Sequence, residues 1–92
     1  MPNLAVSFAR LELTKAIASE RHKALINFLV AKREAIRMKQ SDLAARLGKS
    51  QSFVAHLESG QRRVIFVEFI ELAEILGFNP AKVLSMLKKI VP

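Results

Sequence analysis

The stretch from Gln40 to Ser59, QSDLAARLGKSQSFVAHLES, holds two short helical patterns back to back, and its punctuation decides the fold. The first pattern, Gln40 to Leu47, stops at Gly48, a residue that ends a helix in a left-handed conformation without steric penalty. Ser50 is a candidate N-cap for the second, Gln51 to Ser59, because its hydroxyl can accept from an orphan N–H of the first turn; Gly60 is the stop. Only about three residues separate the two helices, so they cross steeply at a tight turn. A close crossing requires small side chains, and Ala44 stands mid-helix where a larger one would hold the partner away. Leu43, Leu47, Val54 and Leu57 are then the apolar positions left to face a core. Gln51, Ser52, Phe53, Ala55 and His56 point outward.

A helix that presents Gln, Ser and His near its N-terminus carries the donors and acceptors that base edges in a DNA major groove require. Gln is the most telling, since it can pair bidentately with adenine, worth ~1 to 3 kcal/mol of discrimination. Gln51, Ser52, Phe53 and His56 are therefore the candidate base-contacting residues. Phe53 has two readings, a touch on a thymine methyl or packing at the edge of the core. His56 has two as well, DNA contact or plain solvation.

Outward from this pair, a helix from Arg21 to Arg37 carries Leu25, Phe28, Leu29, Lys32 and Ile36 at three- and four-residue spacing behind a candidate cap at Ser19. Lys23, Arg33, Glu34 and Arg37 form its polar face. Downstream, Phe66 to Leu76 places Phe66, Phe69, Ile70, Ala73 and Leu76 on one face and Glu68, Glu71 and Glu74 on another, ending at Gly77. Asn79 then caps a last helix from Pro80 to Ile90, Pro being tolerated at the first helical position. Its stripe of Val83, Leu84, Leu87, Ile90 and Val91, widened by Met86, is either core or a dimer seam. Near the N-terminus, Leu4, Val6, Phe8, Leu11 and Leu13 alternate like strand residues, while Leu4, Phe8 and Leu11 also suit a helix face, which is the reading adopted. The expected organisation is an N-terminal extension over 1–20, a candidate dimer or partner contact, followed by one all-α domain over 21–92.

Composition narrows the function. The 92 residues have 51% apolar side chains, three Gly and three Pro, too apolar and too poor in breakers for a disordered chain. No run approaches ~18 apolar residues and no signal-peptide pattern opens the chain, so a cytoplasmic protein without membrane contact is expected. With no Cys, and with His22 and His56 standing alone, no metal site or other cofactor is expected. A core this small makes burial shared with a second copy attractive, so a homodimer is plausible on size alone. The net charge is +7, and from Ala31 to Arg63 eight cationic side chains meet three acidic ones. That excess points to a polyanion. Lys49 and Ser50 at the turn, with Arg62 and Arg63 just beyond the second helix, are the expected phosphate contacts on either side of the groove. The acidic helix with Glu68, Glu71 and Glu74 is expected to lie away from DNA.

Taken together, Gln40, Leu43, Ala44, Leu47, Gly48, Gln51, Val54, Leu57, Glu58 and Gly60 resemble the pattern of the XRE family, the helix-turn-helix domains of the phage Cro and CI repressor type. The resemblance runs from about Ala24 to Val91. It implies a five-helix, lambda-repressor-like domain that dimerises on operator DNA, with Gln40 on a phosphate and with Arg33 paired to Glu58 so as to lock the first helix to the recognition helix. Three features depart from the family. His56 stands where a Lys or another long polar residue is more common. Ile65, Phe66 and Val67 make an unusually apolar run, with Ile65 where an acidic residue is usual. The first twenty residues lie outside the family core.

These readings converge on a homodimeric, sequence-specific DNA-binding transcriptional regulator. The alternative is an antitoxin or other interaction module that holds a protein partner through Leu4, Phe8, Leu11, Ile65, Phe66 and Val67. An enzyme is not expected, because the chain has no Gly-rich phosphate loop and no recognisable nucleophile, base and acid constellation.

Overall fold

The computed structural model describes residues 19–91, which form five helices: α1 Glu20–Ala35, α2 Gln40–Leu47, α3 Gln51–Glu58, α4 Phe66–Leu76 and α5 Pro80–Lys88. The expectations placed on residues 1–18 lie outside this range. Among the described residues no helix is long and apolar enough to cross a membrane.

Helix α1 is the central post and packs against α3, α4 and α5, while α2 crosses α3 and also meets α4. Ile26 and Leu29 of α1, Leu43 and Ala44 of α2, Val54 and Leu57 of α3, and Leu72 and Leu76 of α4 make one continuous buried cluster. Val54 is completely enclosed. Full burial of such side chains stabilises the fold by roughly 1.5–3 kcal/mol each. The tight α2–α3 crossing depends on Ala44, buried to 2% exposure, where added atoms would have nowhere to go.

Several boundaries and faces differ from the sequence reading. Helix α1 stops at Ala35, two residues early, because Arg37 enters the left-handed region at φ 57°. The N–H groups of Arg37 and Met38 then bond back to Glu34 O at 2.9 Å and Arg33 O at 3.1 Å, closing the helix end and turning Met38 onto the core. Ile36 thus leaves the helix and is exposed. At the far end, α5 stops at Lys88, and Leu84 and Val91 face solvent, so Val83 is its one fully buried residue. In α4 the inward positions are Phe69, Leu72, Ala73 and Leu76, which brings in Leu72 and leaves Phe66 at 66% exposure. Phe66 stands on the right stripe but in the first turn, at the edge of the packed core, where it lines an open apolar groove with Leu25, Val64, Phe69, Leu84 and Leu87.

Two long-range ties fasten the start of α1. The Nε of Arg21 donates to Leu87 O at 3.1 Å and Ile90 O at 2.9 Å, capping the carbonyl end of α5. The His22 ring nitrogen Nε2 lies 3.2 Å from Gly60 O, an arrangement that requires Nε2 to carry the proton and donate. Neither tie was legible in the sequence, since their partners are backbone carbonyls far along the chain.

Candidate nucleic-acid interface

Local chemistry sets the start of both crossing helices. Before α2, the Asp42 carboxylate reaches back to the Lys39 N–H at 3.2 Å. Before α3, Ser50 Oγ accepts from Phe53 N at 3.2 Å, so the hydroxyl expected on a phosphate also caps the helix, with its own proton left to donate outward. Between them Gly48 has φ +68°, and its N–H and that of Lys49 bond to Ala45 O and Ala44 O, which closes α2 within a single turn.

The structure brings together four of the residues singled out in the sequence and orders them in a line. Arg33 grips Glu58 with a two-pronged contact, Nε to Oε2 at 2.6 Å and Nη2 to Oε1 at 2.9 Å. Its remaining Nη1 donates to Met38 O at 2.6 Å. The two side chains are only 12% and 8% exposed. The hydrogen bonds it donates to Glu58 raise the Arg33 guanidinium above its already high ordinary pKa, burial acting in the opposite sense, so Arg33 keeps its charge. Glu58 Oε1 also accepts from Gln40 Nε2 at 2.9 Å, and Gln40 Oε1 accepts from Gln51 Nε2 at 2.9 Å.

The direction of this line follows from its first member. An ionised carboxylate only accepts, so Gln40 must turn its NH2 inward and its carbonyl oxygen outward, and Gln51 must then meet that oxygen with its own NH2. What Gln51 has left is a carbonyl oxygen and one N–H, the acceptor and donor pair that an adenine edge complements. Gln51, Ser52 and His56 are all exposed on the outer side of α3.

Phe53 is placed differently from its neighbours. It is half-buried and packed on the core, with Lys49 Nζ 5.4 Å and the Arg62 guanidinium carbon 4.1 Å from its ring centroid. Arg62 in turn meets the Glu68 carboxylate at 3.3 and 3.4 Å. Glu68 is therefore engaged with the basic loop rather than projecting as free negative charge on α4. Lys39, Arg46, Lys49 and Arg63 remain exposed cations around the outer faces of α2, α3 and the following loop. The contact of Glu68 with Arg62 was missed in the sequence, although Glu68 sits at the third position of α4, where carboxylates commonly turn back toward the helix start. Among the described residues no cluster of His, Asp or Glu is arranged to hold a metal ion.

Comparison with known proteins agrees with this geometry. A family model described as helix-turn-helix matches residues 29–83, from the later part of α1 through α2, α3 and α4 into the first turn of α5. Among solved structures, an XRE-family like protein from Pseudomonas syringae pv. tomato str. DC3000 is similar to this chain at 39% sequence identity and a TM-score of 0.73. The match covers 86% of this chain and 96% of that one. No curated protein matches the chain.

Proposed function

The chain belongs to the XRE family of helix-turn-helix proteins, DNA-binding regulators as a class, and from that premise we propose that it is a homodimeric transcriptional regulator that reads its operator with α3. The observation that carries this reading is the bonded line from Arg33 through Glu58 and Gln40 to Gln51, which orients the outermost amide before any base is met. Orientation settled in advance lowers the entropy cost of contact and favours discrimination over general adhesion. In this reading Gln51, Ser52 and His56 face bases. Lys49, Ser50 and Arg63 face phosphates, positioning the helix without reading sequence, and Gln40 joins them through the second N–H of the amide that bonds Glu58.

Two copies are part of the proposal because one eight-residue helix presents too few side chains to single out a genomic site. The second copy is placed on the apolar groove of α1, α4 and α5. There Phe66 stands proud at the lip of a depression lined by Leu25, Leu84 and Leu87, so one surface offers both a projection and a recess. Capture of a different protein by Ile65, Phe66 and Val67 is the competing reading, favoured by the exposure of all three.

The test is selection of bound sequences from a randomised duplex library at ~0.15 M salt, where specific and non-specific binding separate. The expected result is an inverted repeat with half-site centres about 34 Å apart. Gln51→Ala is expected to relax the preference at one position of each half-site while leaving binding to unrelated duplex unchanged. Absence of any enriched sequence would overturn the reading.

A further inference from the structure

The loop after α3 carries two adjacent arginines, and they lie in different environments. Arg63 is exposed, and its side chain makes no hydrogen bond or ion pair among the described residues. Arg62 is held on three sides. Its guanidinium lies over the Phe53 ring at 4.1 Å, its Nη2 meets both oxygens of Glu68 at 3.3 and 3.4 Å, and its Nε donates to Arg63 O at 3.2 Å. Glu68 is itself 14% exposed and accepts from the Ile65 N–H at 3.2 Å, which anchors the start of α4. Phe53 belongs to α3 and rests on the core. A single side chain thus joins the recognition helix to the first turn of α4.

A guanidinium in that setting is a poor phosphate ligand. Its charge is already matched by a neighbouring carboxylate, so the pair displaces few counterions from DNA, and a full turn toward a phosphate would surrender the stacked ring and the carboxylate together. We infer that Arg62 is a positioning residue, seated on Phe53 and counter-charged by Glu68, that holds the recognition helix at a set angle to the rest of the domain. The phosphate cation of this loop is Arg63. Phe53 accordingly serves as the seat for Arg62 and Lys49 rather than as a reader of bases. This assignment rests on the DNA-binding reading above.

The experiment measures affinity of the 92-residue chain for its selected duplex and for a scrambled duplex between about 50 and 200 mM salt. It is run at a temperature where circular dichroism shows each variant folded. Arg63→Ala is expected to flatten the plot of log affinity against log salt by about 0.9 on both duplexes, with preference and unfolding temperature unchanged. Arg62→Ala is expected to leave that slope unchanged, to lower the unfolding temperature by about 4–8 °C, and to reduce the preference for the selected duplex by about tenfold. Arg62→Lys should not restore the preference, because it keeps the charge but loses the planar stack and fork. If Arg62→Ala flattens the slope as Arg63→Ala does, or if lysine restores full preference, Arg62 is a phosphate ligand and the inference is overturned.

Unfolding temperatures of Arg62→Ala, Glu68→Ala and the double variant give an arm independent of DNA. Losses that fail to add support the tie, and additive losses overturn it. Should the wild-type chain bind neither duplex at any salt, the proposed function fails, while this cycle still decides whether Arg62 joins the two helices.

Discussion

Glu58 shows how much one side chain can settle. It accepts from Arg33 twice and from Gln40 once while almost wholly removed from water, so its two oxygens serve the core and the outer face together. Its charge is what makes the line directional, since an amide in its place could turn either way and would leave Arg33 only the exposed Glu34 carboxylate, 3.9 Å from Nη2, as a counter-ion. Glu58→Ala is therefore expected to destabilise the domain by about 3 kcal/mol, because it strands a buried guanidinium. Urea unfolding checks this, and a loss below about 1 kcal/mol would mean that the pair behaves like an exposed one. At conditions where Glu58→Gln is still folded, the base discrimination proposed for Gln51 is expected to weaken, measured as the affinity ratio between matched and singly mismatched duplexes. Much of this was legible in the sequence, because Arg33, Gln40, Gln51 and Glu58 each stood out. Their connection was not, because hydrogen bonds among residues up to 25 positions apart depend on where α1 and α3 cross.

At the scale of elements, the helix ends explain why this chain turns where it does. The helices α2, α3 and α4 are each followed by a glycine with positive φ, whereas α1 ends on Arg37 at φ 57°. A residue with a Cβ in that region carries roughly 1–2 kcal/mol of strain. Glycine relieves the strain and loses back part of the gain through the extra freedom of the unfolded chain. Arg37→Gly is therefore expected to stabilise the domain by about 0.5–1 kcal/mol, read as a rise of a few degrees in unfolding temperature. A fall would show that the Arg37 side chain stabilises the helix end by more than its backbone costs. Conversely, Gly48→Ala meets no neighbour within 4 Å, so its expected loss of about 1–2 kcal/mol comes from φ alone. Substitution by Asn, which tolerates this region better, is expected to lose less. The glycine stops were readable because glycine announces itself; the stop at Arg37 was not, because nothing in an arginine marks a left-handed turn.

For the molecule as a whole, the arrangement separates two surfaces. Exposed cations and the polar edge of α3 lie together, while Phe66 and Leu84 line the groove of α1, α4 and α5, and Phe66 is flanked in the chain by exposed Ile65 and Val67. In the proposed dimer a second copy covers that groove, and the pair carries two copies of α3. Phe66→Glu is expected to leave the folded monomer intact, since Phe66 is already two-thirds exposed, and to abolish self-association in sedimentation or light scattering. Its affinity for a duplex with both half-sites is then expected to fall by about a hundredfold or more toward that for a single half-site. Unchanged mass would move the dimer seam elsewhere and leave the patch open to a different protein.

The sequence by itself determined the class of fold, the α2–α3 crossing and the identity of the outward polar residues. Those features rest on local rules: the 3.6-residue period, a glycine stop, a serine cap and a small residue at a close approach. Only the tertiary structure decided which apolar residues are enclosed and which polar groups meet. Phe66 and Leu72 lie on neighbouring parts of one helix, yet packing against α1 and α2 buries one and leaves the other at a groove. Arg62 and Arg63 are adjacent and alike in the chain, and they part company because only one of them falls between Phe53 of α3 and Glu68 of α4 in the folded domain.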